Sequence, residues 1–200
     1  MKIIIIGGNG IIGNKVTSYF NKENKVLKAG RSGGDYTVDI TDSNSIKKMF
    51  ETIGKVDAII CIAGEAKWAD FNELTENDYY IGIKSKLMGQ VNLVRIGQHH
   101  LFPNGSITLT TGILADDPVI KTASASMVNG GIHSFIQAVA LEMENGSRVN
   151  VVSSGMVEDA YEKYKDYFPG HNPISMNKVI NGYVRSVKGK GNGEIIRIYN

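Results

Sequence analysis

Seven residues near the start of the chain, GGNGIIG at positions 7 to 13, have the composition of a phosphate-binding turn. Gly8, Gly10 and Gly13 match the pattern G-x-G-x-x-G, and Gly7 gives an alternative G-x-x-G-x-x-G spacing. Glycine here allows a tight turn, close approach of the backbone to a pyrophosphate, and close packing of a helix on a strand. Since a strand-like run precedes the turn and a helical pattern follows it, the sequence predicts a dinucleotide site. No Gly-Lys-Ser/Thr follows Gly13, which excludes a Walker-type loop.

The end of the second apolar run, AGRS, indicates which dinucleotide is bound. An NAD site usually carries an acidic residue here, which hydrogen-bonds the ribose 2′-hydroxyl. This chain has Arg31 and Ser32 instead, and a guanidinium and a hydroxyl both suit a 2′-phosphate. The sequence therefore favours NADP(H) over NAD(H). A solvated surface charge is the alternative interpretation of Arg31.

Side chains for acid–base or metal chemistry are scattered. No group of His, Cys, Asp and Glu has the spacing of metal ligands, so we expect no metal. His133 and His171 have no carboxylate partner in the sequence, and we expect His133 to pack within its helix. The His99 and His100 pair near a helix end suits the helix dipole. Cys61, the single cysteine, lies in the apolar run VDAIICIAG, which predicts a buried residue rather than a reactive thiol.

Short apolar runs alternate with helix-period segments along the whole chain, and these elements must position the glycine turn. The runs typical of strands are KIIIIG, NKVLKAG, VDAIICIAG, GSITLTTG, SRVNVVSSG and GEIIRIYN. Because they are continuously apolar rather than alternating, they indicate a parallel sheet buried on both faces. The predicted fold is α/β, a doubly wound parallel sheet in a Rossmann-type three-layer sandwich, forming a single domain over residues 1–200.

Composition and charge limit the partners. The net charge of +2 over 200 residues is too small to indicate nucleic acid, and Lys and Arg are scattered. No apolar segment reaches the length of a membrane span, and KIIIIG is too short for a signal peptide. We therefore expect a cytoplasmic protein that acts on a small-molecule substrate, without nucleic acid or membrane as a partner.

Four blocks of residues, GGNGIIG, VDITD, VDAIICIAG and RVNVVSSG, make the chain resemble the short-chain dehydrogenase/reductase family over essentially its whole length. VDITD is similar to the family's adenine-contacting segment, with Asp39 near the adenine amino group. VDAIICIAG is similar to D-x-x-x-N-N-A-G, although Cys61 and Ile62 replace the two asparagines. The cofactor-binding residues that the sequence and this resemblance indicate are Gly7, Asn9, Gly10, Ile11, Ile12, Gly13, Arg31, Ser32, Asp39, Ile40, Ala63 and Gly64.

The proton-transfer chemistry of that family rests on a Tyr-x-x-x-Lys pair one helical turn apart, with a serine and an asparagine. Matching NGGIHSF to the family's segment after the lysine places Ala125 at the tyrosine position and Asn129 at the lysine position. The serine falls at Thr111 or Gly112, and only Thr111 retains a hydroxyl. The asparagine falls at Lys86. Loss of a positioned general acid usually lowers the rate by about 10²–10⁴-fold.

Lys86 and Thr111 are therefore the candidate catalytic residues. We expect Lys86 to stabilise the ribose or a developing oxyanion, and Thr111 to bond the substrate oxygen. An exposed lysine on a KSK helix face is the alternative interpretation of Lys86. No replacement proton donor stands out in the sequence.

A tyrosine-rich segment at about residues 156–173 corresponds to the variable, substrate-covering segment of the family. The spacing of Tyr161, Tyr164 and Phe168 predicts one aromatic stripe on a helix. Such a stripe is typical of core or lid packing rather than of catalysis.

Two functions fit these residues. The first is a short-chain dehydrogenase/reductase-like oxidoreductase that binds NADP(H) and moves a hydride to or from a small carbonyl or alcohol through a non-standard active site. The second is a catalytically silent NADP(H)-binding sensor or interaction protein. An enzyme that uses the same cofactor half on a nucleotide-sugar or nitrogenous substrate has less support, because its usual Tyr-Lys pair is missing too. The resemblance also implies a homodimer or homotetramer paired through two long helices, residues 75–100 and 121–145.

Overall fold

Seven parallel strands form the centre of the computed structural model, which describes residues 1–199. The strands are β1 (Lys2–Ile6), β2 (Lys25–Gly30), β3 (Tyr36–Thr37), β4 (Val56–Cys61), β5 (Leu101–Gly112), β6 (Arg148–Ser154) and β7 (Ile195–Ile198). Their spatial order is β3-β2-β1-β4-β5-β6-β7. The order reverses between β1 and β4, and ligands of such sheets bind at the carboxyl ends of the strands beside this reversal. The predicted doubly wound parallel sheet is confirmed.

Helices cover both faces of the sheet. They are α1 (Ile11–Phe20), α2 (Ser43–Ile53), α3 (Glu76–Gly82), α4 (Gly89–Gly97), α5 (Ala123–Val139), α6 (Tyr161–Tyr164) and α7 (Met176–Lys188). Ile3 and Ile5 of β1 pack with α1 and α7, whereas Ile4 and Ile6 pack with α2, α4 and α5. Successive side chains of a strand alternate between faces, so the unbroken run KIIIIG is buried on both sides. No helix within residues 1–199 is long and apolar enough to cross a bilayer.

The long helix predicted after β4 has an irregular centre. A π-helical segment, Ile83–Met88, joins α3 to α4, and the N–H of Gly89 donates to the carbonyl of Lys84 five residues back. Thr75 begins the first part with a capping box completed by Asp78. Single π-helical turns inside α-helices occur frequently at functional sites, and this one contains Lys86.

The stretch ASASMVNGG, residues 123–131, forms the first half of α5. It lies within the long helix expected at residues 121–145. A Cβ added to Gly131 would lie 3.2 Å from Cδ1 of Leu87, so this glycine allows α5 to approach the π-helical segment closely. A Cβ added to Gly130 would meet no atom of residues 1–199 within 4 Å. Packing within this chain therefore explains one of the two adjacent glycines.

Two local features differ from the prediction. The short strand β3 was not predicted, because RSGGDYT contains no apolar run to mark it. The prediction that Tyr161, Tyr164 and Phe168 form one stripe on a helix is wrong. Helix α6 has only four residues and lies between two 3₁₀ turns, Glu158–Ala160 and Lys165–Tyr167. Helices this short depend on tertiary packing, and the rings of this segment gather around Trp68 instead of forming a stripe.

Candidate cofactor and substrate site

The glycine turn between β1 and α1 has the backbone that a phosphate cradle requires. Gly7 has a φ of +83°, and a Cβ there would lie 2.9 Å from the carbonyl carbon of Ile62. A Cβ on Gly13 would overlap the carbonyl oxygen of Gly7. Helix α1 begins at Ile11 with Gly10 as its N-cap, and no side chain of residues 1–199 caps it. The N–H groups of its first turn are therefore available to an anion, so the turn fits a pyrophosphate.

A cavity of about 300 Å³ extends from this turn along the carboxyl ends of β1 and β2. Ile11 is half exposed where α1 begins, and Ile12 lines a neighbouring cavity instead. Gly13 packs behind the turn. The other expected cofactor residues all line this cavity, namely Gly7, Asn9, Gly10, Arg31, Ser32, Asp39, Ile40, Ala63 and Gly64.

Arg31 lies in the wall of this cavity with most of its side chain exposed. Its Nη2 is 3.4 Å from Oε1 of Glu65, and such exposed ion pairs contribute little to stability. The backbone N–H and the hydroxyl of Thr41 both donate to Asp39 Oδ1, at 2.9 and 2.8 Å. These hydrogen bonds, and more weakly the charge of Arg31, hold the pKa of the Asp39 carboxyl below its usual value. The cavity thus carries one anion, the Asp39 carboxylate, and one largely exposed cation, the Arg31 guanidinium.

A second cavity, of about 600 Å³, opens beyond the carboxyl ends of β4 and β5. Ile62, Gly64 and Glu65 line both cavities, so the two adjoin. Lys86 and Thr111 both line the larger one. The structure thus brings the two candidate catalytic residues to one cavity, next to the glycine turn. Within residues 1–199 there is no group of three His, Cys, Asp or Glu side chains that could hold a metal ion.

Lys86 lies half-buried in the wall of the larger cavity. Its ammonium has no hydrogen-bond or ion-pair partner among the described residues, and burial lowers its pKa. Gly64 has a φ of +118°, and a Cβ there would lie 2.8 Å from Cα of Lys86, so this glycine lets two backbones touch. A partly desolvated, unpaired ammonium is suited to stabilising a developing oxyanion.

Ala125 and Asn129 line the same cavity and are each 4% exposed. The Oδ1 of Asn129 is buried without a hydrogen-bond donor in residues 1–199. A buried acceptor left unsatisfied costs about 1–3 kcal/mol, so a ligand hydroxyl or amide that donated here would bind favourably. The methyl group of Ala125 leaves the space beside it open and cannot transfer a proton.

Thr111 lies near the end of β5, and its Oγ1 is 2.8 Å from Nε2 of His133. Both residues are buried, with 4% and 6% of their surfaces exposed. We expected His133 only to pack within its helix; instead, its ring hydrogen-bonds a side chain of the cavity wall. Ala125, Asn129 and His133 recur every four residues and share one helix face. That spacing is the sequence pattern that could have located His133 at the site.

Gln90 of α4, which sequence reasoning missed, connects the carboxyl end of β5 to the segment that follows β4. Its Nε2 donates to the carbonyls of Ala63 and Thr110, at 3.3 and 3.0 Å. Its Oε1 accepts from the N–H of Thr110 at 3.2 Å. Gln90 thereby fixes the backbone beside Thr111. A buried glutamine within a helix belongs to no motif, so the sequence offered no means of finding it.

An aromatic cluster forms the outer wall of the larger cavity. The ring of Trp68 lies 5.7 Å from those of Tyr164 and Tyr167, and 6.4 Å from that of Phe168, between centroids. Trp68, Tyr164 and Tyr167 line the cavity itself. Sequence reasoning found the tyrosines but not Trp68, which stands alone in a loop. The wall presents apolar ring surface to any molecule bound there.

A family model described as enoyl-(acyl carrier protein) reductase, of the short-chain dehydrogenase/reductase type, matches residues 14–184. The chain belongs to the short-chain dehydrogenase/reductase family. Members of this family are oxidoreductases. The match begins just beyond the glycine turn and includes every residue that lines the larger cavity except Ile12.

Solved structures agree with this assignment. The protein lin1944 from Listeria innocua is 43% identical, with a TM-score of 0.97 and full coverage of both chains. A small-chain dehydrogenase in complex with NADPH is 25% identical, with a TM-score of 0.88 over 100% of this chain and 96% of its own. A further short-chain dehydrogenase/reductase family protein, at 18% identity and a TM-score of 0.86 over 99% and 95% of the two chains, shares the fold. No protein of curated function matches the chain.

Proposed function

We propose that this short-chain dehydrogenase/reductase is an NADP(H)-dependent enzyme with a non-standard active site. It moves a hydride between the nicotinamide and the carbonyl or alcohol carbon of a small molecule. The observation that carries the proposal is the shared wall of the two cavities, since Ile62, Gly64 and Glu65 border both. A dinucleotide held by the glycine turn therefore has Lys86 and Thr111 in the adjoining space.

The roles of the cavity residues follow from their chemistry. The unpaired ammonium of Lys86 stabilises negative charge on the substrate oxygen or holds a ribose hydroxyl. The hydroxyl of Thr111 hydrogen-bonds the substrate oxygen. The unsatisfied Oδ1 of Asn129 accepts a hydrogen bond from a ribose or substrate hydroxyl. The segment at about residues 156–173 covers the substrate, with Tyr164 and Tyr167 as its contact surface.

Preference for NADP(H) is assigned to Arg31 and Ser32. Both line the smaller cavity, and the exposed guanidinium can leave Glu65 to pair with a 2′-phosphate. The 25% identical small-chain dehydrogenase in complex with NADPH supports the same cofactor. We assign NADP(H) binding also to the other expected cofactor residues, which lie between Gly7 and Gly64.

One observation favours the alternative of a silent NADP(H)-binding sensor or interaction protein. Ala125 has no ionisable group, so the family's usual proton donor is missing from the site. A sensor needs the glycine turn and Arg31 but no convergence of Lys86 with Thr111. The two proposals therefore agree on nucleotide binding and differ on turnover.

Thermal unfolding with NADPH and with NADH tests the nucleotide claim. At 100 times the dissociation constant, NADPH should raise the free energy of unfolding by about 2.7 kcal/mol, with a smaller effect from NADH. Absence of a shift with either nucleotide would contradict both proposals. NADPH oxidation over a panel of aldehydes, ketones and quinones then separates the enzyme from the sensor, because only the enzyme consumes the nucleotide.

We also propose that the chain assembles as a homodimer or homotetramer through the helices at residues 75–100 and 121–145. Ile81, Met88 and Met127 on these helices are 41–45% exposed. Gly130, three residues after Met127 on the same helix, leaves room for another backbone, since no atom of residues 1–199 would lie within 4 Å of a Cβ added there. Sedimentation equilibrium of the wild type and of Met127→Glu tests the proposal, and a monomeric wild type would contradict it.

A further inference from the structure

We propose that Thr111 and His133 form a proton relay that takes the place of the missing tyrosine. The inference rests on the proposed function and adds the source of the proton to it. In this relay Thr111 is the catalytic residue that contacts the substrate oxygen. His133 is a positioning residue, because it acts on the substrate only through Thr111.

The geometry leaves one route for proton exchange between His133 and the cavity, through the hydroxyl of Thr111. Thr111 Oγ1 and His133 Nε2 are 2.8 Å apart, within the range for direct transfer. Thr111 lines the larger cavity, whereas His133 lies behind it and does not line that cavity. A proton that passes between His133 and a bound substrate must therefore cross the threonine hydroxyl.

The surroundings lower the pKa of the His133 imidazole overall, so the imidazolium forms only at a pH below the usual histidine range. Burial lowers the pKa of His133, the carboxylate of Asp116 raises it, and the guanidinium of Arg197 lowers it. Asp116 is itself held in place, accepting hydrogen bonds from Arg197 Nε and Nη2 at 3.0 Å each and from Tyr199 Oη at 2.6 Å. Asp116 and Arg197 are the charged groups of residues 1–199 that act on this ring.

The proton balance of carbonyl reduction is as follows. NADPH held at the glycine turn would supply the hydride that reaches the carbonyl carbon. As the carbon–oxygen π bond breaks, the substrate oxygen takes the proton of the Thr111 hydroxyl. Thr111 takes the proton of His133 Nε2, and the imidazolium becomes a neutral imidazole. In alcohol oxidation each proton moves the opposite way, so the ring must begin neutral with its Nε2 lone pair facing Thr111.

The first test compares pH profiles of His133→Gln and the wild type. Glutamine can keep a hydrogen bond to Thr111 but does not titrate. The wild-type kcat for reduction should rise as pH falls, because the imidazolium is then more populated, and should level off below the His133 pKa. In His133→Gln, kcat should no longer depend on pH in this way. It should also fall by about 10²-fold with KM unchanged, as is typical when a proton donor is missing. His100→Gln, which removes a histidine stacked on Phe50 away from the cavity, is the matched control and should retain the profile.

Two substitutions at Thr111 separate the hydroxyl from its bulk. Thr111→Ser keeps a hydroxyl and should keep most of kcat and the pH dependence. Thr111→Val is nearly isosteric without the hydroxyl, and its kcat should fall as far as that of His133→Gln. The double variant should be no slower than either single variant, because one relay is broken in all three.

The tautomer of the neutral His133 ring can be measured by ¹⁵N NMR without nucleotide or substrate. The His133 signals are assigned as those that are absent from the spectrum of His133→Gln. We expect the proton on Nδ1 and Nε2 unprotonated. A neutral ring protonated on Nε2 would overturn the relay, because Nε2 could not accept a proton from Thr111. An active His133→Gln with the wild-type pH profile would overturn the relay alone. A wild type that binds NADPH but reduces no carbonyl would overturn the proposed function, and the relay with it.

Discussion

The nucleotide end and the substrate end of the cleft are built from different parts of the polypeptide. At the nucleotide end the decisive features are backbone, since a Cβ on Gly7 or Gly13 would meet main-chain atoms. At the substrate end they are side chains, and we propose that Ala125 and Asn129 take the positions of the family's tyrosine and lysine. A backbone cradle fails when a single atom is added, whereas side chains on a rigid scaffold can be exchanged one by one. We infer that the chain keeps the family's binding surface and runs different chemistry beside it.

The largest effect should come from adding a methyl group to the cradle. Gly13→Ala would place a Cβ on the Gly7 carbonyl oxygen. Because that oxygen belongs to the backbone, the clash can be relieved only if the turn itself shifts. We expect NADPH binding to weaken by at least about 100-fold, equivalent to roughly 2.7 kcal/mol, by isothermal titration calorimetry. In Gly10→Ala the nearest atom to the new methyl would be 3.6 Å away, so this control should lose far less affinity. Equal losses in both variants would contradict the steric explanation.

At the substrate end, Lys86→Met should separate activity from stability. We expect kcat to fall by about 10²-fold through loss of oxyanion stabilisation, and the free energy of unfolding to rise by about 1 kcal/mol because an unpaired ammonium is removed from a partly buried position. The folded-state pKa of Lys86 lies below its unfolded value, so the destabilisation is complete below the folded pKa and fades as pH rises through it. The stability gain of Lys86→Met should therefore shrink at alkaline pH, as urea unfolding at several pH values would show. An unchanged reductase rate would exclude Lys86 from the chemistry.

Cofactor preference offers a smaller effect at the nucleotide end. Arg31→Ala should weaken NADPH by about 10-fold and leave NADH unchanged, as expected for one exposed charge-assisted contact. Glu65→Gln should tighten NADPH slightly, because it frees the guanidinium from its 3.4 Å partner. Dissociation constants from nucleotide fluorescence give both values. Equal losses for the two nucleotides would mean that Arg31 does not read the 2′-phosphate.

The smallest change is expected in the aromatic wall. Trp68→Leu removes the ring that the tyrosines of the covering segment contact, and should raise KM by about 3-fold with kcat nearly unchanged, a loss of roughly 0.7 kcal/mol in ground-state binding. Trp68 is the single tryptophan of the chain, so fluorescence excited at a wavelength that tyrosine does not absorb reports on this wall. A substrate that binds there should change its emission. Emission that stays constant at saturating substrate would place the substrate elsewhere.

The fold and the nucleotide end could be predicted because their determinants are local in sequence. The run KIIIIG and the turn GGNGIIG carry strand, turn and helix start within twelve residues. Ile11 and Ile12 show the limit of this reasoning, because a motif places residues near a site without saying which way each side chain points. Ile12 faces the larger cavity and Ile11 faces solvent.

The substrate end could be predicted only in part, because its contacts join distant segments. Family spacing indicated Lys86 and Thr111, and the structure places both at one cavity. The hydrogen bond from Thr111 to His133 spans 22 residues, and Trp68 meets a segment about a hundred residues away. Such pairs depend on how α5 and the covering segment pack, which residue periodicity does not specify.

The π-helical turn at Ile83–Met88 has a consequence for the rotational phase of the long helix. A regular α-helix turns by about 100° per residue, and a π turn accommodates one residue more than an α turn does. Deleting one residue here would restore a regular helix and would rotate α4 relative to α3 by about 100° around the helix axis. The buried face of α4 and the lysine at the cavity could then not both keep their directions. Where Lys86 points is therefore encoded in the length of this segment, so a one-residue deletion in it would redirect a side chain without changing its type.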